Sequence, residues 1–317
     1  KELKIIFGGC ARDCDKYLEK TFDNIDLYAS LFKEHFENAD EAIRARLAIQ
    51  FRMHPQIMGL VNHFYEGQLT CGLKNPNQER AHNLALKDKF GKITLTEDDH
   101  VLWIDTTRKL DSITMHKEDV DFDGKPLRTN RLEATLIAHT LCQLDEQMEG
   151  KGKTLDVGIV SFYALQCKVI REEMKKLRPN GKFKNLNIDV NTVIRYQGKE
   201  KSVILVSLVR HDGRDPERSG TMSRRKSSRA NVARYEFINV AFSRAQKLLM
   251  VFGARSMFES YEVELPNMDN KGTKTRMVYK DIFQQLDNDN RIRFAHEMLH
   301  HSHDEPNQSK RKNNKGR

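Results

Sequence analysis

The 317 residues are 38% hydrophobic and 31% charged, with a formal net charge of +9 and a pI of about 9.2. The apolar residues gather in periodic blocks, enough for a real core, which excludes a disordered chain. The positive balance admits an anionic partner such as nucleic acid. No run approaches the ~20 apolar residues of a membrane span. Five scattered cysteines (Cys10, Cys14, Cys71, Cys142, Cys167) form neither a disulfide framework nor a paired zinc pattern. They predict reduced thiols and a soluble protein of the cytoplasm or nucleus. The chain opens at Lys1, inside a strand-like run, and is expected to be a piece of a longer polypeptide.

In chain order, Leu3–Phe7 reads as a strand and Tyr28–Phe36 as a helix. Arg46–Phe51 reads as a short strand or turn entry into Gln50-Phe51-Arg52-Met53-His54-Pro55. On Ile57–Tyr65, residues Ile57, Leu60, Val61, Phe64 and Tyr65 share one helical face. Asn75–Lys89 is polar and loop-like, Val101–Ile104 is a strand, and Leu110–Leu127 is an acidic loop. A helix runs from Asn130, a plausible cap, to Met148. Leu155–Val160 is a buried strand, and Ala164–Leu177 is a helix that Pro179-Asn180-Gly181 ends.

Val190–Ile194 is β-rich, and Val203–Val209 is apolar enough for a strand buried on both faces. Between them Gly198 lets the backbone approach a ligand that Gln197 and Glu200 can read. Segment 210–234 holds eight basic residues against three acidic ones. Tyr235–Ser243 is a helix, Leu248–Phe252 a strand, and Met277–Leu286 and Ile292–His300 are helices. Ser309–Arg317 is a basic, disordered tail. Strand and helix alternate, so the fold class is α/β with a mainly parallel sheet.

Four blocks place polar residues beside buried elements, where ligand groups sit on a rigid scaffold. They are Gln50–Pro55; Gly158–Gln166; Thr192–Glu200 with Ser207-Leu208-Val209-Arg210; and Asn239-Val240-Ala241-Phe242-Ser243-Arg244-Ala245-Gln246. Together, in this order, they resemble the second RecA-like motor lobe of superfamily 1 helicases, the Upf1-like group. That group has Gln-Tyr-Arg-Met-His-Pro, Pro-Tyr-x-x-Gln, Asp-x-Phe-Gln-Gly-x-Glu running into Ser-x-Val-Arg, and Asn-Val-Ala-x-Thr-Arg-Ala. The resemblance covers roughly residues 1–290 and implies a RecA-like parallel sheet flanked by helices.

The resemblance implies an ATP-dependent helicase or translocase acting on single-stranded DNA or RNA. Arg52 and Arg244 then match arginine fingers, whose planar forks meet phosphate oxygens bidentately. Phe51 stands where the group stacks a Tyr on adenine. Gln197, Gly198 and Glu200 match the turn near the nucleotide. Ser161, Tyr163, Gln166, Thr192 and Arg195 are the candidate nucleic-acid contacts, giving binding without sequence readout. The 210–234 segment adds electrostatic affinity.

The implied organisation is 1–45 as the end of the first lobe and a connector, 46–260 as the second lobe, 261–300 as a helical extension and 301–317 as the tail. ATP and Mg2+ are the implied cofactors, with the Mg2+ ligands in a first lobe ahead of Lys1.

Some positions depart from the group. Gly8-Gly9-Cys10-Ala11-Arg12 lacks the Asp and Gln of Gly-Asp-x-x-Gln, Ile194 replaces an Asp, and Phe162 replaces a Pro. No P-loop is present: Gly152-Lys153-Thr154 imitates its end, but Gln147 stands where a Gly is needed. Asp145-Glu146 lies in a helix and Asp304-Glu305 in the tail, so neither is a metal-binding pair at a strand end. This lobe alone is therefore expected not to hydrolyse ATP. Two alternatives stand beside this reading. One is a non-catalytic nucleic-acid-binding module on a degenerate helicase fold. The other is a zinc hydrolase using His296-Glu297-Met298-Leu299-His300, which matches His-Glu-x-x-His.

Overall fold

Six parallel strands form the sheet: β1 (Val101–Asp105), β2 (Leu155–Ser161), β3 (Leu186–Thr192), β4 (Lys201–Ser207), β5 (Ala245–Gly253) and β6 (Ile292–Phe294). Their order is β6-β1-β5-β4-β2-β3, and every neighbouring pair is parallel. The computed structural model describes residues 48–88, 90–178, 182–213, 231–266 and 273–298, all within one unit that begins at Ala48. The strand expected at Leu3–Phe7, the helix at Tyr28–Phe36, the Pro179-Asn180-Gly181 break, most of the basic 210–234 segment and the tail lie outside them.

The strands are apolar almost without interruption because helices cover both faces. Alternate residues serve alternate faces. On β1, Val101 and Trp103 join one core cluster, while Leu102 and Ile104 join the other. The first cluster packs under α1 (Pro55–Asn62), α4 (Tyr235–Ser243) and α5 (Val278–Asn288). Trp103 anchors it, with Phe283 at 4.6 Å between centroids and its indole N–H donated to Gly253 O at 2.9 Å. The second cluster packs under α2 (Arg131–Gln147) and α3 (Ala164–Leu177).

Helix limits follow local chemistry. α2 starts where the Asn130 side chain accepts from Glu133 N at 3.1 Å. α1 starts with Pro55 in its first turn, as a residue with no N–H to leave unpaired. It stops at Asn62, short of the expected Tyr65, because the chain turns left-handed at Glu66 (φ 55°) and Gly67 (φ 79°). Asn75–Lys89, expected as loop, holds a short helix at Pro76–Glu79 and one strand of a hairpin with Ile93–Leu95.

The expected helix over Ile292–His300 is a correction. Ile292-Arg293-Phe294 pairs with β1 as the edge strand, and a 3-10 turn follows at Ala295–Glu297. An alternating, β-branched and aromatic triplet beside an open sheet edge overrides a helical spacing. Glu297 closes that turn by accepting from Phe294 N at 2.7 Å.

The link from β3 to β4 is short. A 3-10 helix (Val193–Tyr196) and the turn through Gly198 (φ 84°) carry the chain back across β2. Tyr196 is fully buried there, its hydroxyl donated to Asp189 O at 3.0 Å. It lies on Gly158 of β2. A Cβ at Gly158 would collide with the Tyr196 hydroxyl, with Tyr196 Cζ at 2.9 Å and with Ile204 Cδ1 at 2.5 Å. Gly158→Ala is therefore expected to destabilise the fold by about 1–3 kcal/mol. Urea unfolding monitored by circular dichroism tests this, and an unchanged midpoint would show that the crossing has room to spare.

Candidate nucleotide and nucleic-acid sites

Two groups of candidate residues stand at opposite ends of the sheet. β4 is seven residues long, a span of about 20 Å. Glu200 sits just before its first residue, and Arg244 just before the first residue of β5, with Lys201 paired to Ala245. Ser161, Thr192 and Ser207 mark the far ends of β2, β3 and β4.

At the near end the Gln50–Pro55 loop is held from inside. Gln50 accepts from Arg52 N at 2.9 Å and Met53 N at 2.8 Å, and donates to Met53 O at 2.9 Å. Arg80 donates to Phe51 O and Arg52 O, both at 2.7 Å. His54 N donates to Gln246 O at 3.0 Å, fixing the loop to the start of β5.

So held, Arg52 reaches Glu200 at 2.5 Å and Ser243 O at 3.3 Å, while Gln246 donates to the other Glu200 oxygen at 3.1 Å. Arg244 lies beside them. Burial, then the Arg52 charge, lowers its pKa, and Glu200 opposes this. Its Nε is buried without a hydrogen-bond partner. Among the described residues two guanidiniums thus lie near one carboxylate, which bonds Arg52 and acts on Arg244 through its charge. The Arg52–Glu200 pair is about one-third exposed on each side, so it is worth on the order of 1 kcal/mol or less. An entering anion can displace it.

Phe51 projects 63% exposed beside this site. Its ring lies on Gly72, where any Cβ would strike Phe51 Cζ at 2.5 Å and Ile49 Cγ2 at 2.8 Å. The result is a fixed aromatic face open to solvent. Gln197 and Gly198 are exposed on the crossing turn before Glu200.

At the far end the candidates divide. Ser161 is fully buried and donates to Ser207 O at 3.1 Å. Gln166 is fully buried too, bonded to Asn130 N at 2.8 Å and to Asn130 O and Ser207 Oγ at 3.0 Å each. Both were expected to face nucleic acid, and the structure turns their polar atoms inward instead. Tyr163 is 8% exposed, with its hydroxyl on Arg210 and Arg128 5.9 Å above its ring. Thr192 is half-buried and Arg195 is exposed, so these two are open to a ligand.

Behind this end lies Glu133, which sequence reasoning missed. It is fully buried and accepts from Ser207 Oγ at 2.6 Å, Val209 N at 2.9 Å and Asn130 Nδ2 at 3.2 Å. Burial pushes its carboxyl up to about 8. Val209, which the sequence places inside a strand, lies beyond the end of β4 with φ 72°. That conformation costs a β-branched residue about 1–3 kcal/mol. The Asn-x-x-Glu spacing from Asn130 was visible as a helix-start pattern, but nothing local marks its reach to Val209.

The first two residues of the His-Glu-x-x-His match do not lie on an α-helix. His296 and Glu297 sit in the 3-10 turn, and His300 lies outside the described residues. No group of three or more His, Cys, Asp or Glu that could hold a metal occurs among the described residues, nor any helix long and apolar enough to cross a membrane.

A parallel sheet covered on both faces, with paired arginines and an aromatic face at one end and polar strand tips at the other, defines the second RecA-like motor lobe of an Upf1-like superfamily 1 helicase. The profile of the family described as AAA domain matches residues 27–256, and the chain belongs to that family. It is 29% identical over 242 residues to the DNA replication ATP-dependent helicase/nuclease DNA2 of Gallus gallus, covering 75% of this chain and 19% of that protein. The Schizosaccharomyces pombe dna2 protein is 29% identical over 244 residues, covering 75% and 16%. The DNA polymerase alpha-associated DNA helicase A of the same yeast is 24% identical over 227 residues, covering 71% and 30%. The chain thus spans less than a third of the length of these relatives.

The arginine loop rests on stacked imidazoles. His54 and His100 lie face to face at 3.4 Å, with His82 edge-on to His100 at 5.0 Å. Burial, the largest cause in each, lowers all three below the usual histidine value, His100 to about 4. Lowered folded values mean that the unfolded chain binds more protons between about 4 and 6.5. The stability from His100 is complete above that window and is lost as pH falls through it. Chemical unfolding is expected to show about 2 kcal/mol less stability from this residue at pH 5 than at pH 7.5, a loss reduced in His100→Asn. Equal pH slopes for the two proteins would remove the stack from the account.

Proposed function

We propose that this lobe closes the ATP site of a motor that moves along single-stranded DNA. The carrying observation is the Arg52–Glu200–Arg244 group, two guanidiniums beside one carboxylate among the described residues. In this reading ATP, with Mg2+, is cradled by a first RecA-like lobe of the same polypeptide. Arg52 and Arg244 reach its γ-phosphoryl end, where charge develops as the phosphoryl group leaves, and their forks stabilise that charge. Glu200 holds Arg52 in place until phosphate oxygens take over its donors. The open face of Phe51 stacks the adenine.

Nucleic acid lies across the strand tips 20 Å or so away, along Thr192, Arg195 and the Tyr163–Arg210 pair. Arg210 is tied at 3.0 Å to the buried Glu118, so part of its charge is already balanced. DNA is favoured over RNA because the relatives described above carry DNA replication or DNA helicase names. The DNA replication names of those relatives support a nuclear site of action for this motor.

In the full-length protein, Arg244→Ala is expected to cut DNA-stimulated ATP hydrolysis by about 10³-fold or more with the circular dichroism spectrum unchanged. Turnover at the wild-type rate would end the motor reading. Phe51→Ala is expected to raise the KM for ATP several-fold with little change in kcat, since stacking is worth about 1–3 kcal/mol per base. Steady-state kinetics separates the two effects.

A further inference from the structure

We propose that Glu133 is a positioning residue for the nucleic-acid face, acting by holding the peptide of Val209 in its left-handed conformation. The proposal rests on the motor reading above and adds to it the element that sets one of its contacts.

Val209 stands between the end of β4 and Arg210. A valine does not adopt φ 72° by itself. Both polar groups of its peptide are gripped from one helix start: its N–H by Glu133 at 2.9 Å, its carbonyl by Asn130 at 3.0 Å. The grip has no solvent to compete with it, since Glu133, Asn130, Ser207 and Val209 are all fully buried. Gln166 bonds both Asn130 and Ser207, so the strand tip and the helix start form one network. With Val209 so turned, Arg210 is aimed at the Tyr163 hydroxyl and Glu118. Remove the carboxyl, and Val209 returns to negative φ and re-aims Arg210. Helix capping alone does not explain this geometry, because the cap is made by the Asn130 side chain to the Glu133 backbone, leaving the carboxyl free to cross to Val209.

The conservative variant follows from the same contacts. A glutamine keeps one oxygen to accept from Val209 N–H and Ser207 Oγ and gives up only the 3.2 Å contact from Asn130 Nδ2, so E133Q is expected to stay much nearer wild type than E133A. Alanine removes the acceptor. Aspartate, one methylene shorter, withdraws it.

The test uses the full-length protein, ATP turnover and an oligothymidylate as activator. E133A is expected to raise the half-saturating oligothymidylate concentration about tenfold and to lower the stimulated rate. Its KM for ATP and its unstimulated turnover stay at wild-type values. E133D carries the same expectation should E133A fail to fold. E133A/V209G is expected to recover part of the loss, because glycine takes positive φ without being held. An unchanged half-saturating concentration in E133A or E133D overturns the proposal. So does a parallel loss of unstimulated turnover, which marks a merely structural residue. If the wild type itself shows no stimulation by oligothymidylate, the motor reading fails, and this inference with it.

Discussion

Tyr196 lying on Gly158 is the contact on which both ends of the lobe depend. Eight residues must carry the chain from the far tip of β3 to the near start of β4, crossing β2 on the way. A side chain on β2 at that point would lift the crossing off the sheet. With none, Tyr196 and Val193 sink into the core and the chain emerges with Glu200 against Arg52. Thr192 and Arg195 enter this crossing at one end, and Glu200 leaves it at the other. Close backbone approach is thus what brings residues of one short segment to two separate sites.

The two ends differ in how their polar groups are held. At the near end the ion pair is partly exposed and weak, suited to exchange with an anion. The loop behind it is firm, fixed by Gln50, Arg80 and His54 through backbone atoms. At the far end Glu133, Asn130, Gln166 and Ser207 are fully buried and bonded to one another, and such networks fix a single geometry because any unpaired member is costly. One end is built to exchange partners, the other to keep them.

The fold was largely legible in the sequence because its strands are buried on both faces. Continuous apolar runs such as Val203–Val206 and Leu248–Phe252 give clear strands, and the limits of Ala164–Leu177 and Tyr235–Ser243 are those expected. The edge strand at Ile292 was not legible, since an alternation over three residues is too short to stand out from the helical spacing around it. For the site, the residue types and order of the blocks pointed to Arg52, Glu200 and Arg244, which the structure brings together. Ser161 and Gln166 show the limit of that approach. A polar residue in a functional block reads the same whether it faces a ligand or braces the strand beneath, and only burial distinguishes the two. Glu133 and Arg80 were invisible because their roles rest on contacts made far along the chain.

A strand bonded on both sides along its length cannot stretch. β4 has β5 on one side and β2 on the other, so its two ends move as one stiff lever. Glu200 and Val209 are therefore held at a set separation, and one can shift relative to the other only by moving the sheet as a body.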